Sequence, residues 1–237
     1  DKEYLSHFER LEIDSTIKEQ PKFNETKEVV LEYPVSKEQG TENKTYMCYS
    51  VALPKELTII DSYGIEIVMK VLVGAAGAPL ERALLDAGIG TYISGSYEPS
   101  ILQPILEFTT KDAKPTQKAD FVKVIEETLK SLIEKGINKK ALEAAINKYE
   151  FKLREADFGG MSKGLIYGLN SFTKWLYDDE DVFSWCEFDK IFSFLKEQIN
   201  TSYFENLIQK YFLDNTHKAI VVINPNGTMN ENCMHYN

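Results

Sequence analysis

Three histidines are the side chains of this sequence best suited to binding a catalytic metal, and they are scattered at His7, His217 and His235. Hydrolysis by zinc needs two histidines on one helix face and a carboxylate that activates water. No histidine here lies three or four residues from another, and residues 6–10, which come closest to such a motif, lack the second imidazole. We therefore expect no catalytic residue and no metal ligand in this chain.

The glycine-rich segment 159–164 is the next candidate, because glycine loops can cradle phosphates. A phosphate-binding loop follows a strand and places Lys and then Ser or Thr directly after its second glycine. Here Leu165 and Ile166 follow Gly164, and a predicted helix precedes the segment. The pattern predicts a flexible connection between helices. Sets of Ser, His and Asp or of Cys and His stay open, because their members meet only in the fold.

Glu150 and Arg154 stand at positions i and i+4 of a predicted helix over residues 138–157. Side chains at this spacing lie on one helix face and can pair. Catalytic carboxylates instead sit in clefts that shift their pKa. We expect a structural ion pair here rather than a catalytic acid.

The charge balance limits the partners of the chain. Its 237 residues include 37 acidic and 27 basic side chains, for a formal net charge of -10. The acidic balance argues against nucleic acid as a main partner, because phosphate binding needs a basic surface. The balance is compatible with basic peptides as ligands, although solubility is the simpler explanation. No apolar run is long enough for a membrane span, so no membrane partner is expected.

The cysteines indicate the compartment. Cys48, Cys186 and Cys233 are odd in number, far apart and without metal-ligand spacing. Free thiols in a reducing, intracellular environment are the expected state.

Hydrophobic periodicity and turn residues divide the chain into strands and helices. Strands are predicted over residues 29–33, 46–53, 91–97, 102–110 and 219–223. Helices are predicted over residues 57–73, 79–87, 118–135, 138–157, 163–177, 183–199 and 203–212. A short helix, with Tyr4, Leu5, Phe8 and Leu11 on its apolar face, is expected near the start.

The order of these elements predicts an α+β fold of two layers, with a mostly antiparallel sheet and helices packed on one face. Polar residues 36–44 are expected to join the first two strands as a hairpin, and residues 98–100 join the third and fourth. Pro104 cannot donate to a strand ladder, so the fourth strand either lies at an edge or begins after this residue.

Several segments together resemble one protein family. They are residues 78–90, a helix that ends in a Gly-x-Gly turn; residues 148–155, a Glu-Phe-x-Leu-Arg-Glu helix; residues 163–165 and 175–178; and residues 212–218 before the last strand. Their order and spacing resemble the insulinase (pitrilysin) family of zinc metallopeptidases, in its presequence protease and falcilysin branch. The resemblance covers nearly the whole chain.

The resemblance implies a fold and a role. In this family two halves close around a chamber, each half has two domains of related α+β fold, and the first domain carries a His-x-x-Glu-His zinc motif. This chain resembles the second, non-catalytic domain of the N-terminal half. The predicted helix 57–73 takes the place of the zinc-binding helix, and Asp61, Ser62 and Tyr63 stand there without a histidine. No catalytic residue of the family therefore transfers to this chain.

The same resemblance implies that zinc binds in the catalytic domain of the parent protein and that this chain holds no cofactor. The expected partners are other domains of the same polypeptide and unfolded peptide substrates. Residues 1–27 would be a linker from a preceding catalytic domain, residues 28–225 the non-catalytic domain, and residues 226–237 the start of a linker between the halves or a disordered tail. An organelle matrix, in a mitochondrion or plastid, is expected if the parent is eukaryotic.

Two other functions stay open from the sequence. A domain of this fold can serve as a scaffold without peptidase activity, like the core subunits of respiratory complexes that resemble processing peptidases. An unrelated, self-contained enzyme is the second alternative.

Overall fold

The computed structural model describes residues 2–36, 38, 40–156 and 158–229. Five strands form one sheet in the order β1-β5-β2-β4-β3. The strands are β1 (Lys27–Pro34), β2 (Thr45–Ala52), β3 (Tyr92–Glu98), β4 (Ile105–Ala113) and β5 (Lys218–Asn226). The helices are α1 (Ile59–Leu72), α2 (Pro79–Asp86), α3 (Lys118–Lys135), α4 (Lys139–Glu155), α5 (Lys163–Trp175), α6 (Phe188–Glu197) and α7 (Tyr203–Leu207). Within the described ranges, no helix combines the length and apolarity that crossing a membrane requires.

The sheet is mixed but mostly antiparallel, and the predicted α+β class is confirmed. β2 pairs antiparallel with β4 and β5, β3 pairs antiparallel with β4, and β1 pairs parallel with β5. The expected hairpin through residues 36–44 is wrong, because β5 lies between β1 and β2. The apolar residues Ile220 and Val222 suit β5 to this inner position, where they are buried. The hairpin of β3 and β4 is confirmed, and β4 begins directly after Pro104.

The inner strands alternate between two environments, as expected for a sheet that helices cover on one side. Met47, Tyr49 and Val51 of β2 are at most 1% exposed, whereas the residues between them are half-buried. The buried side, with Phe108 of β4, joins the helices in one continuous core. The opposite side, here called the open face, presents the half-buried residues of β2, β4 and β5.

Helix α1 lies at the centre of the core. Nine of its 14 residues are buried. A helix that is apolar around most of its circumference needs neighbours on several sides. Gly64 allows α7 to approach closely, since a Cβ built at Gly64 would lie 2.6 Å from Cδ1 of Leu207 and 3.1 Å from the hydroxyl of Tyr203.

The boundary between α3 and α4 follows the sequence signals. The side chain of Asn138 accepts hydrogen bonds from the backbone N–H groups of Lys140 and Ala141, which confirms it as the N-cap of α4. The expected staple residues, Ile137 and Leu142, are both buried. Gly136 ends α3 with a φ of 81°, a conformation that favours glycine.

Three predicted helices are shorter or interrupted. The helix predicted near the start is reduced to a single 3-10 turn, Leu5–His7. Its apolar side chains are exposed and have no core to pack against. Segment 183–199 divides into a 3-10 turn, Ser184–Cys186, and α6, since buried Trp185 draws the chain inward before the helix. α7 continues as a π-helical turn, Ile208–Leu213.

We expect Gly64→Ala to destabilise the fold by about 1–2 kcal/mol, because overpacking against Leu207 outweighs the higher helix propensity of alanine. Gly164→Ala in α5 is the matched control, since a Cβ there would meet no atom within 4 Å. The control should be neutral or stabilising. Urea unfolding followed by circular dichroism measures both, and a Gly64→Ala variant as stable as the wild type would contradict the close approach of α1 and α7.

Candidate functional site

The first turn of α1 carries three polar side chains, residues 61–63, at the edge of the core. Thr58 caps the helix, because its hydroxyl accepts a hydrogen bond from the backbone N–H of Asp61 at 3.1 Å. The Asp61 carboxylate accepts hydrogen bonds from the hydroxyls of Tyr203 at 2.8 Å and Tyr211 at 2.7 Å. Each oxygen accepts from a different tyrosine, so Asp61 joins α1 to α7 and to the π-helical turn.

The next two residues of this turn are also engaged in the fold. The hydroxyls of Ser62 and Tyr97 lie 2.8 Å apart and join α1 to β3. The Tyr63 hydroxyl donates to the backbone carbonyl of Trp185 at 2.6 Å. These contacts border a cavity of about 140 Å³ whose lining also includes Glu66. The polar side chains of the turn therefore hold neighbouring elements in place, and we call residues 61–63 with their tyrosine partners the α1 brace.

The tyrosines of the α1 brace are poor acid–base groups. Burial raises the pKa of Tyr97, Tyr203 and Tyr211 far above the ordinary value. For Tyr203 and Tyr211, the hydrogen bond to the Asp61 carboxylate raises the pKa further. A phenol that stays neutral at physiological pH can donate a hydrogen bond, but it cannot serve as a general base or nucleophile. The brace thus has the chemistry of a structural contact.

The residues at this position do not fit a zinc ion. Among the residues that the structure describes, no group of three or more His, Cys, Asp and Glu side chains could hold a metal. Both oxygens of Asp61 are engaged by tyrosines. His217 is buried with its ring centroid 4.4 Å from that of Phe23, and burial lowers its pKa. His7 is exposed on the first turn of the chain, and His235 lies outside the described residues.

Glu150 and Arg154, the predicted ion pair, lie near the end of α4. Nη2 of Arg154 is 2.8 Å from Oε1 of Glu150 and 2.7 Å from Oδ1 of Asp189. Nζ of Lys196 is 2.5 Å from Oε2 of Glu150. Partial burial raises the pKa of Glu150, but hydrogen bonds from Lys196 and Arg154 outweigh this effect, so the pKa lies below its ordinary value. Because Asp189 and Lys196 belong to α6, the network joins α4 to α6.

The open face of the sheet carries a second polar group. Glu107 accepts hydrogen bonds from Ser50 at 3.2 Å and from Ser96 at 3.5 Å. Burial raises the pKa of neighbouring Cys48 to about 11, so its thiol stays protonated at physiological pH. Cys48 and Cys186 are both free, and Cys233 lies outside the described residues. This face offers hydrogen-bonding and small side chains but no activated nucleophile among them.

The glycine-rich segment 159–164 connects α4 to α5 as the sequence predicts. Gly159 and Gly160 both have positive φ, 64° and 90°. Nζ of Lys163 donates to the backbone carbonyl of Glu155 at 3.1 Å, so this amine binds the last residue of α4. Residues 159–162 therefore form a turn between the helices, and Lys163 and Gly164 begin α5.

Comparison with known proteins identifies the family to which this fold belongs. The chain belongs to the peptidase M16 inactive domain family, whose profile matches residues 2–149. Its resemblance to presequence proteases of the insulinase (pitrilysin) family is thereby confirmed.

Two curated relatives cover almost the whole chain. Protein HypA of Clostridium perfringens is 37% identical over 229 residues, which are 97% of this chain and 23% of the relative. Presequence protease 1, chloroplastic/mitochondrial, of Arabidopsis thaliana is 30% identical over 231 residues, which are 94% of this chain and 21% of the relative. The chain thus spans less than a quarter of the length of these relatives.

Solved structures share the fold at low identity. A protease from Helicobacter pylori superposes with a TM-score of 0.61 at 15% identity, over 92% of this chain and 48% of that chain. The peptidase M16 inactive domain from Pseudomonas fluorescens superposes with a TM-score of 0.57 at 14% identity, over 89% of this chain and 46% of that chain.

Sequence reasoning did not bring the members of the α1 brace together. Asp61 and Tyr211 are 150 positions apart, and no local pattern connects them. The one available signal was the spacing of Thr58 and Asp61, which is typical of a helix start. That spacing says nothing about which groups the carboxylate contacts.

We expect Asp61→Ala to destabilise the fold by about 2–3 kcal/mol, because two tyrosine hydroxyls lose their charged acceptor. Asp61→Asn keeps one side-chain oxygen and should cost about 1 kcal/mol. Asp120→Ala is the control, since Asp120 is an exposed carboxylate in the first turn of α3. It should cost only about 0.5 kcal/mol, the contribution of a helix N-terminal charge. Equal losses for the two alanine variants in urea unfolding would refute the brace.

We expect Glu150→Gln to lower the free energy of unfolding by roughly 0.5–1 kcal/mol at pH 7. Because the folded pKa of Glu150 lies below its unfolded value, this contribution is complete above the unfolded pKa and is lost as the pH falls through the folded pKa. Wild type and variant should therefore converge at acidic pH. Asp86→Asn, in the exposed pair with Arg82, is the control and should have almost no effect. A difference between wild type and Glu150→Gln that grew on acidification would contradict the network.

Proposed function

We propose that this chain is the non-catalytic domain of a zinc-dependent metalloendopeptidase that degrades unfolded peptides in a closed chamber. Residues 28–225 would form the domain, residues 1–27 a linker from a preceding catalytic domain, and residues 226–237 the start of a linker between the halves or a tail. Membership of the inactive peptidase M16 domain family and the presequence protease relatives support this assignment. The α1 brace is the observation that carries it. Where a catalytic domain needs metal ligands, the first turn of α1 is committed to contacts within the core.

The domain would support the zinc domain and form part of the chamber wall. The open face of the sheet is suited to that wall, because its side chains are half-buried and chemically mixed. Glu107 is held by two serines, and Ala219 pairs with Ser50 while Val221 pairs with Cys48. Small and hydroxyl side chains leave room for an extended peptide and provide hydrogen-bonding groups of no fixed sequence preference.

Zinc would bind in the catalytic domain of the parent, and the partners of this chain would be other domains of the same polypeptide and peptide substrates. No nucleic acid or membrane partner is proposed. The names of several relatives place presequence proteases in mitochondria or chloroplasts. They support an intracellular, reducing compartment, and an organelle matrix if the parent is eukaryotic.

The test compares the full-length parent polypeptide with the 237-residue chain. Both are assayed on an unfolded fluorogenic peptide and on the same peptide sequence within a stably folded domain. We expect cleavage of the unfolded peptide by the full-length protein alone, loss of cleavage after chelation, and recovery with zinc. The folded substrate should resist cleavage, because it cannot enter a closed chamber.

Two results would overturn the proposal. Hydrolysis by the 237-residue chain after exhaustive metal removal would indicate a self-contained enzyme. A full-length protein that binds no zinc and cleaves no peptide would indicate a scaffold.

A further inference from the structure

Helix α5 lacks the packing that normally stabilises a helix of its length. Its N-terminus is capped, since the Ser162 hydroxyl accepts a hydrogen bond from the N–H of Leu165 at 3.3 Å. None of its 13 residues is buried. Isolated helices of about 12–15 residues are marginal in water, and in proteins most helical stability comes from an apolar face packed on a neighbour. The apolar face of α5 therefore needs a covering surface.

One side of α5 and its C-terminal end forms a continuous apolar stripe. Leu165, Leu169, Phe172 and Leu176 are 53%, 50%, 55% and 72% exposed. Their spacing of four, three and four residues places them along one line of a helix. This spacing is typical of helices that pack lengthwise against another helix. We call these four residues the α5 stripe.

An apolar groove continues from the α5 stripe. It encloses about 600 Å³ between α5 and the chain that follows it. Its aromatic lining residues are Tyr167, Phe172, Trp175, Phe183, Trp185 and Phe188. Stripe and groove share Phe172, so they form one surface. Contiguous apolar surfaces of this kind on a protein mark interaction sites.

Charge defines the chemistry of the covering surface. The run Asp178-Asp179-Glu180-Asp181 begins two residues after the last stripe residue, Leu176. Oδ1 of Asp179 accepts a hydrogen bond from the Trp175 indole at 2.9 Å. A covering helix with Lys or Arg at this end would neutralise these carboxylates. The rest of the polypeptide is available to supply that helix, because the curated relatives are about four times as long as this chain.

We propose that the α5 stripe and its groove are a permanent interface, covered by an apolar, basic-ended helix from another domain of the same polypeptide. The mainly apolar character of the surface matches an obligate contact rather than a transient one. This inference rests on the proposed function only in requiring a longer parent polypeptide.

Hydrogen–deuterium exchange tests the interface without any substitution. We expect the backbone amides of α5 to exchange at least about tenfold more slowly in the full-length protein than in the 237-residue chain. Amides of α1 should be protected in both, which shows that the 237-residue chain is folded. Phe172→Asp in the full-length protein should abolish the added protection of α5. Leu85→Asp, at an exposed leucine of α2, is the matched control and should leave it unchanged.

Equal exchange of α5 in the two proteins, with α1 protected in both, would overturn the interface. Protection of α5 in the 237-residue chain that rises with its concentration would also overturn it, since a second copy would then be the partner. Peptidase activity is measured on the same full-length sample. Added protection of α5 in a sample without zinc-dependent cleavage supports the interface and refutes the proposed function, so the two can fail separately.

Discussion

The burial of α1 is the constraint on which the rest of this domain depends. Ile65, Ile67, Val68 and Leu72 are each at most 1% exposed. Full burial of such a side chain contributes about 1.5–3 kcal/mol. Four of them together are comparable to the net stability of a typical domain, about 5–15 kcal/mol. The sheet and α7 must therefore both contact this helix, and the missing side chain at Gly64 lets α7 do so.

The same constraint sets the contacts of the polar residues at the start of α1. A helix end that approaches the core must satisfy its polar groups, either with a functional ligand or with neighbouring side chains. Here tyrosine hydroxyls and a backbone carbonyl satisfy them. The start of α1 is therefore a structural contact that joins this helix to β3, α7 and the π-helical turn.

Features set by local chemistry could be predicted from the sequence, and features set by distant pairing could not. The apolar periodicity of α3 and the cap at Asn138 predicted the bounds of α3 and α4 to within about two residues. The predicted pairing of β1 with β2 was wrong, because nothing in residues 27–44 indicates that the partner strand lies near the end of the domain. The carboxylate–tyrosine contacts of Asp61 could not be predicted, because they depend on elements whose arrangement no short pattern encodes. The helix over residues 163–177 was predicted from the sequence, but only the structure shows that the residues of the α5 stripe are exposed.

The position of β5 between β1 and β2 affects the order in which the domain can be assembled. Glu32 and Asn226, which hydrogen-bond across the β1–β5 edge, are 194 residues apart. At ribosomal rates of about 5–20 residues per second, β1 emerges roughly 10–40 seconds before its partner strand. During synthesis β1 has no partner strand, and its valines and leucine are exposed. Unpaired strands of this kind can bind chaperones and can aggregate. The sheet is complete only when β5 has left the ribosome, so β1 stays without its partner strand while the residues between them are translated.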